Sequence, residues 1–107
     1  MSSFDKREEG FEKKFALDAE QKFKAEARRN KLLGLWAAEK LGITGDAAAA
    51  YAKEVVAADF EEAGDQDVQN KVVTDFAAKG VAVTAAEVRV KMDELMAAAA
   101  AQVKAGT

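Results

Sequence analysis

The stretch Phe23–Gly42, FKAEARRNKLLGLWAAEKLG, changes character halfway along. It opens as a charged surface, passes through Arg28, Arg29, Asn30 and Lys31, and ends in Leu32, Leu33, Leu35, Trp36 and Leu41. The Leu-Leu-x-Leu-Trp half reads as buried helix and the Lys/Arg half as solvated helix. Gly42 follows Leu41 where a helix-ending glycine belongs.

Working downstream, Thr44 is placed to cap a second helix, roughly Asp46 to Ala63. There Lys53, Glu54 and Glu61 share one face. Ala49, Ala52, Val56, Phe60 and Ala63 form another, with Tyr51 and Val55 beside them. Gly64 ends that helix, and Asp65 caps a third whose Val68, Val72, Val73 and Phe76 turn inward. Gly80 ends the third. In VTAAEV, Thr84 and Glu87 read as a capping box with Val83 and Val88 as its hydrophobic staple. Val88, Met92, Leu95, Met96, Ala99 and Val103 then recur at helical spacing as core. Three such helices need a fourth wall, which the Leu-Trp stretch supplies. The fold class is all-α, a four-helix bundle.

Composition agrees. The 107 residues include no Pro and no Cys, and Ala supplies much of the apolar half. That length makes one domain with one modest core, and the composition favours helix. The absence of Cys gives no disulfide framework, and no apolar run is long enough to span a bilayer. The expected location is therefore cytoplasmic. With neither His nor Cys, zinc sites, Ser-His or Cys-His nucleophiles and imidazole catalysis are excluded. GITGD at Gly42–Asp46 lacks the Lys and Ser/Thr of a phosphate loop. DFEEAGDQDVQN, Asp59–Asn70, has Ala63 and Asn70 where a calcium loop needs ligands. An enzyme, a metal or a cofactor is not expected.

The charge is divided. Residues 1–31 hold nine bases against seven acids, a net of +2; the remainder holds seven against twelve, a net of −5. Because acids interleave with the bases, no cationic stripe for nucleic acid forms. Length divides the chain too. A first helix from Phe4 to Leu41 would span about 57 Å at 1.5 Å per residue, and the others roughly 22–30 Å. The bundle uses only the Trp36 end, and roughly half of that length must overhang, fold back or be disordered. The expected division is an N-terminal arm, 1–17, and a single bundle domain, 18–107.

The arm is patterned. Phe4, Phe11 and Phe15 lie at i, i+7 and i+11, one helical face, which Ala19 and Phe23 extend. Gly10 interrupts it at about 1 kcal/mol relative to Ala. Such a segment becomes helical against a groove that accepts its Phe face.

Two blocks, FKAEARRNKLLGLWAAEKLG and AYAKEVVAADFEEAGDQDV (Ala50–Val68), closely resemble the zeta-subunit family of alpha-proteobacteria, small inhibitors of the F-type ATP synthase. The resemblance runs from FDKRE at Phe4 over nearly the whole chain. It implies a four-helix bundle whose N-terminal segment inserts into the catalytic head, between catalytic and non-catalytic subunits and near the rotor, and blocks ATP hydrolysis. The matching inhibitory segment is Phe4 to about Phe15. In the family pattern Ala is usual at the position of Gly10 and His at that of Leu17. On this reading Phe4, Phe11 and Phe15 are the partner-binding anchors, and Lys6, Arg7, Lys13 and Lys14 supply steering and rim contacts. The chain is expected to be a monomer when free, peripheral on the membrane-bound synthase and not itself inserted in the membrane.

Other classes give different readings of the same residues. An arm on anionic lipid is disfavoured by its many acids. A weak nucleotide sensor would meet a phosphate with Arg28, Arg29 or Lys31 beside Trp36; the simpler reading puts those cations on the solvent face of the first helix. A generic helical adaptor is the remaining alternative.

Overall fold

A computed structural model describes residues 17–59 and 65–106. Asp18 opens the first helix with an extended backbone, φ −71° and ψ 174°. Its carboxylate accepts the Gln21 N–H at 2.7 Å, and its own N–H donates to Gln21 Oε1 at 3.2 Å. This reciprocal cap uses two of the donors that a helix start leaves orphaned. The resulting helix α1, Ala19–Leu41, starts well inside the stretch that begins at Phe4. It ends at Gly42, whose φ of 76° suits a residue without a Cβ. Ile43 N–H reaches back to the Ala38 carbonyl at 2.8 Å, which closes the end.

The remaining elements are α2, Gly45–Ala58, α3, Gln66–Lys79, and α4, Ala85–Lys104; no strand occurs among the described residues. Helix α2 stops at Ala58, short of the expected Ala63. Phe60, Glu61, Ala63 and Gly64 lie outside the described residues. Thr44 stands at the α2 cap position but makes no side-chain cap bond. Thr84 does cap α4, accepting the Glu87 N–H at 3.1 Å, although only this half of the expected box forms.

The helices pack as a bundle in which α1 lies chiefly against α2 and α4, with α3 completing the core. Leu33, Ala37 and Ala38 of α1 meet Tyr51 and Val55 of α2. Val68, Val72 and Phe76 of α3 join Val88 and Met92 of α4 in the same cluster. Trp36, Leu41, Ile43, Val73, Val83 and Leu95 pack on its margin, half-buried. Two expectations are corrected here. Leu35 stands 38% exposed, because it falls well round the helix from the Leu33–Ala37 stripe. On α2 the inward face is Ala48, Tyr51, Ala52 and Val55, one position round from the predicted Ala49–Ala52–Val56 face.

That phase of α2 follows from its neighbours. Gly34 of α1 is buried against α2, and a Cβ built on it would lie 2.6 Å from Ala52 Cα. The two backbones approach where neither residue carries a bulky side chain. The Tyr51 hydroxyl, one position earlier, donates to Asp75 Oδ2 on α3 at 2.7 Å. A close small-residue approach and a partly buried hydroxyl bond together fix the rotation of a helix whose Ala-rich sequence would tolerate several.

Candidate functional site

The arm anchors Phe4, Phe11 and Phe15, with Lys6, Arg7, Lys13 and Lys14, lie outside the described residues. The structure does describe where the arm joins the bundle. Leu17 is half-buried, and Asp18 leaves the helical conformation before α1 begins. Helical phase is therefore interrupted at Asp18, and the Phe face of the arm does not run into Phe23 along one unbroken helix.

Phe23 itself is 59% exposed. It lines an open groove with Lys24, Ala27, Arg28 and Lys31 of α1 and Val56 of α2. The α1 members share a surface because they recur three to five residues apart. Lys24 pairs with Glu20 at 3.1 Å, and Arg28 Nη1 donates to Gln102 Oε1 at 3.3 Å. The groove thus has an apolar floor and a basic edge. Burying the rest of the Phe23 ring would contribute roughly 1–2 kcal/mol.

Arg29 points the other way. Only 6% exposed, it donates through Nε to Asn30 Oδ1 at 3.0 Å and through Nη1 to Asp65 Oδ2 at 3.2 Å. Arg89 of α4 reaches the same carboxylate oxygen at 2.9 Å and donates to Gln69 Oε1 at 2.6 Å. Asp65 holds the expected cap position of α3, but its carboxylate makes no cap bond because two guanidinium groups hold it. Bonds in which both partners are ionised, with the attraction of two positive charges, outweigh a bond from this carboxylate to an uncharged backbone N–H. The Arg89 hydrogen bond, with the charges of Arg89 and Arg29, holds this carboxyl below its usual range despite the opposing effect of burial. The same bond raises the Arg89 pKa. One carboxylate at the start of α3 so ties together α1, α3 and α4.

Trp36 is half-buried, its ring edge-on to Phe76 with centroids 5.7 Å apart. Lys40 and Lys91 lie 5.4 and 5.9 Å from its ring centroid, and Val90, 58% exposed, lines the same shallow surface. Of the residues considered for a nucleotide, Arg28 and Lys31 therefore share the Phe23 groove. Arg29 faces Asp65, and Trp36 sits over α4.

A second polar cluster joins α2 to α3. Burial, and then its bond to Asp75, raise the Tyr51 pKa far above the ordinary phenol value. Lys71 pairs with Asp75 at 3.0 Å and lies 5.3 Å from the Tyr51 ring centroid, which completes the charge balance there. The Tyr51 hydroxyl does meet a carboxylate, but the raised pKa keeps the phenol protonated, so this bond joins two helices and does not activate a nucleophile. These contacts tie the helices together, while the α1 groove, the Trp36–Val90 surface and the arm root are open to a partner. The Asp18–Gln21 box and Gly34 are the site-positioning features the sequence reading passed over. A D-x-x-Q step before an apolar run, and a glycine inside a helical pattern, were their signals.

The model of a family described as ATPase inhibitor subunit zeta matches residues 1–102. A solved structure, described as a solution NMR structure, is 59% identical. It superimposes with a TM-score of 0.69, covering 79% of this chain and 96% of that one. No curated protein matches the chain.

Proposed function

The chain belongs to the ATPase inhibitor subunit zeta family, and from that premise we propose that it blocks ATP hydrolysis by an F-type ATP synthase without performing chemistry itself. The arm, Phe4 to about Phe15, enters the catalytic head between a catalytic and a non-catalytic subunit, near the rotor. The bundle remains outside as its handle. Phe4, Phe11 and Phe15 are the buried anchors, and Lys6, Arg7, Lys13 and Lys14 steer the arm toward an acidic head and hold its rim. An arm ordered between subunits lowers the free energy of one rotational state, so the rotor stalls until those contacts are lost. Three buried Phe side chains supply about 5–9 kcal/mol, against an ordering cost of about 2–5 kcal/mol for a segment that folds on binding. The difference of about 0–7 kcal/mol is comparable with the contribution of one or two anchors, so loss of an anchor should weaken inhibition measurably.

The observation that carries this reading is the extent of the family match. It includes the arm as well as the bundle, ending only at residue 102. No helix among the described residues is long and apolar enough to cross a membrane, in keeping with a peripheral inhibitor. The test is ATP hydrolysis by the cognate synthase with the full chain and with residues 18–107. The full chain should inhibit and the shortened chain should not, while retaining the helical circular dichroism of the bundle. Equal inhibition by the shortened chain would remove the arm from the mechanism.

A further inference from the structure

We infer that the groove on α1 is a docking site for the chain's own arm, so that free protein holds its Phe face against the bundle and must release it to engage the target. This rests on the arm being the inhibitory segment, and it adds a regulated, self-occupied state to that reading. The groove presents exposed Phe23, with Ala27 and Val56, beside a basic edge of Lys24, Arg28 and Lys31.

The arm has the complementary pattern. Wound as a helix, its acids Asp5, Glu8, Glu9 and Glu12 fall at i, i+3, i+4 and i+7, a single stripe. That stripe flanks one side of the Phe4–Phe11–Phe15 face, while Lys6, Arg7, Lys13 and Lys14 lie on the opposite side. Phe side chains against Phe23 and Val56 would therefore bring acids to Lys24 and Lys31.

Length and direction agree. Phe4 to Phe15 spans about 17 Å as a helix, close to the roughly 18 Å from Ala19, where α1 begins, to Lys31 at the far end of the groove. The break in helical geometry at Leu17 and Asp18 leaves the chain able to change direction before α1, as an antiparallel return needs. The tether is only Ala16, Leu17 and Asp18, which places the arm at millimolar effective concentration over the groove. No separate partner has that advantage. Docking and inhibition compete for the same Phe face, so the apparent affinity for the target falls by the fraction of chains left undocked.

Because the native chain has no cysteine, Ser3→Cys accepts a single nitroxide label on the full-length protein. Docking predicts paramagnetic broadening of the Phe23–Lys31 and Val56 amides, with the Lys79–Val83 turn unaffected. Phe23→Asp and Lys31→Glu, both changes at exposed positions, should each remove the broadening. In ATP hydrolysis assays Phe23→Asp should then tighten inhibition by about two- to tenfold, corresponding to docked populations of about 50–90%. Absent or uniform broadening overturns the inference. So does broadening that vanishes when labelled chains are diluted into unlabelled ones, which would assign the groove to a second copy. Weaker inhibition by Phe23→Asp also overturns it, because the groove would then contact the target. The label measurement contains no synthase, so a chain that docks its arm but does not inhibit would refute the proposed function and leave this inference standing.

Discussion

Replacing Gly34 with Ala is the sharpest test of how α1 and α2 meet. In an exposed helix this change stabilises by about 1 kcal/mol, because Gly is the poorer helix former. Here the added Cβ would lie 2.6 Å from Ala52 Cα, 3.1 Å from Ala52 Cβ and 3.3 Å from Val55 Cβ. Comfortable carbon–carbon separations are about 3.5–4.0 Å, so the helices would have to part by about 1 Å at their crossing. No rotamer change gives relief, since the nearest atom is backbone. Overpacking of this kind costs about 1–3 kcal/mol, and a clash with main chain belongs in the upper half of that range. After the gain in helix propensity, Gly34→Ala should destabilise by about 1–2 kcal/mol. That corresponds to a Tm lower by roughly 5–15 °C for a domain of this size. Urea unfolding followed by circular dichroism should show the same loss with an unchanged m-value. Adding Ala52→Gly should recover only part of it, because the main chain at position 52 still blocks the new methyl group. A variant that melts higher than the parent would show that the helices do not approach this closely, and the packing argument would fall.

Asp65→Asn leaves buried Arg29 without its counter-charge and should cost about 2–4 kcal/mol, moderated because Asp65 keeps about a third of its side chain exposed. In the parent, the Asp65 carboxyl titrates lower in the folded state than unfolded. Its contribution is therefore present above the unfolded carboxyl range and lost as pH falls through the folded value. Acid titration of stability should show a smaller loss in Asp65→Asn than in the parent. Trp36→Ala should cost about 2–3 kcal/mol, less than a fully buried Trp, because the ring is only half-buried; a Tm equal to the parent's would show that its edge contact with Phe76 contributes nothing. Thr84→Ala removes the α4 cap and should lower stability by about 1 kcal/mol, whereas Thr44→Ala, at a position without a cap bond, should change it little; equal losses in chemical denaturation would contradict that distinction.

The sequence showed most clearly those elements where apolar contrast is strong. Val68, Val72 and Phe76 stand among polar neighbours, so their spacing alone identifies the buried face of α3. Helix α2 offers no such contrast. Four consecutive Ala residues precede Tyr51, and its inward face is chosen by partners distant in sequence, Gly34 and Asp75. Asp65 illustrates a different difficulty. Capping is local and visible in sequence, but Arg29 and Arg89 lie 36 and 24 residues away and only the fold brings them to its carboxylate. The start of α1 at Asp18 was legible in principle, yet continuous amphipathic spacing from Phe4 to Phe23 masked it. Periodicity reports which residues can share a helical face, and it is silent on where the chain leaves helical geometry. The Phe23 groove was hidden for a related reason, since the same spacing assigned Phe23 to the arm's face and its neighbour Val56 comes from another helix.

The reciprocal cap at Asp18 has a mechanical consequence. On the proposed function, the arm is gripped by a machine that tries to turn, and any pull on it enters the bundle at Leu17. From there the load passes into the first turn of α1, which the Asp18–Gln21 bonds hold closed. Because α1 packs against both α2 and α4, pulling along its axis has to shear those two interfaces together, whereas a helix at the edge would peel away turn by turn. The lifetime of a bundle under load follows its unfolding rate under force, which equilibrium stability alone does not fix. Weakening the cap should therefore shorten the survival of the handle under tension more than its melting temperature would suggest.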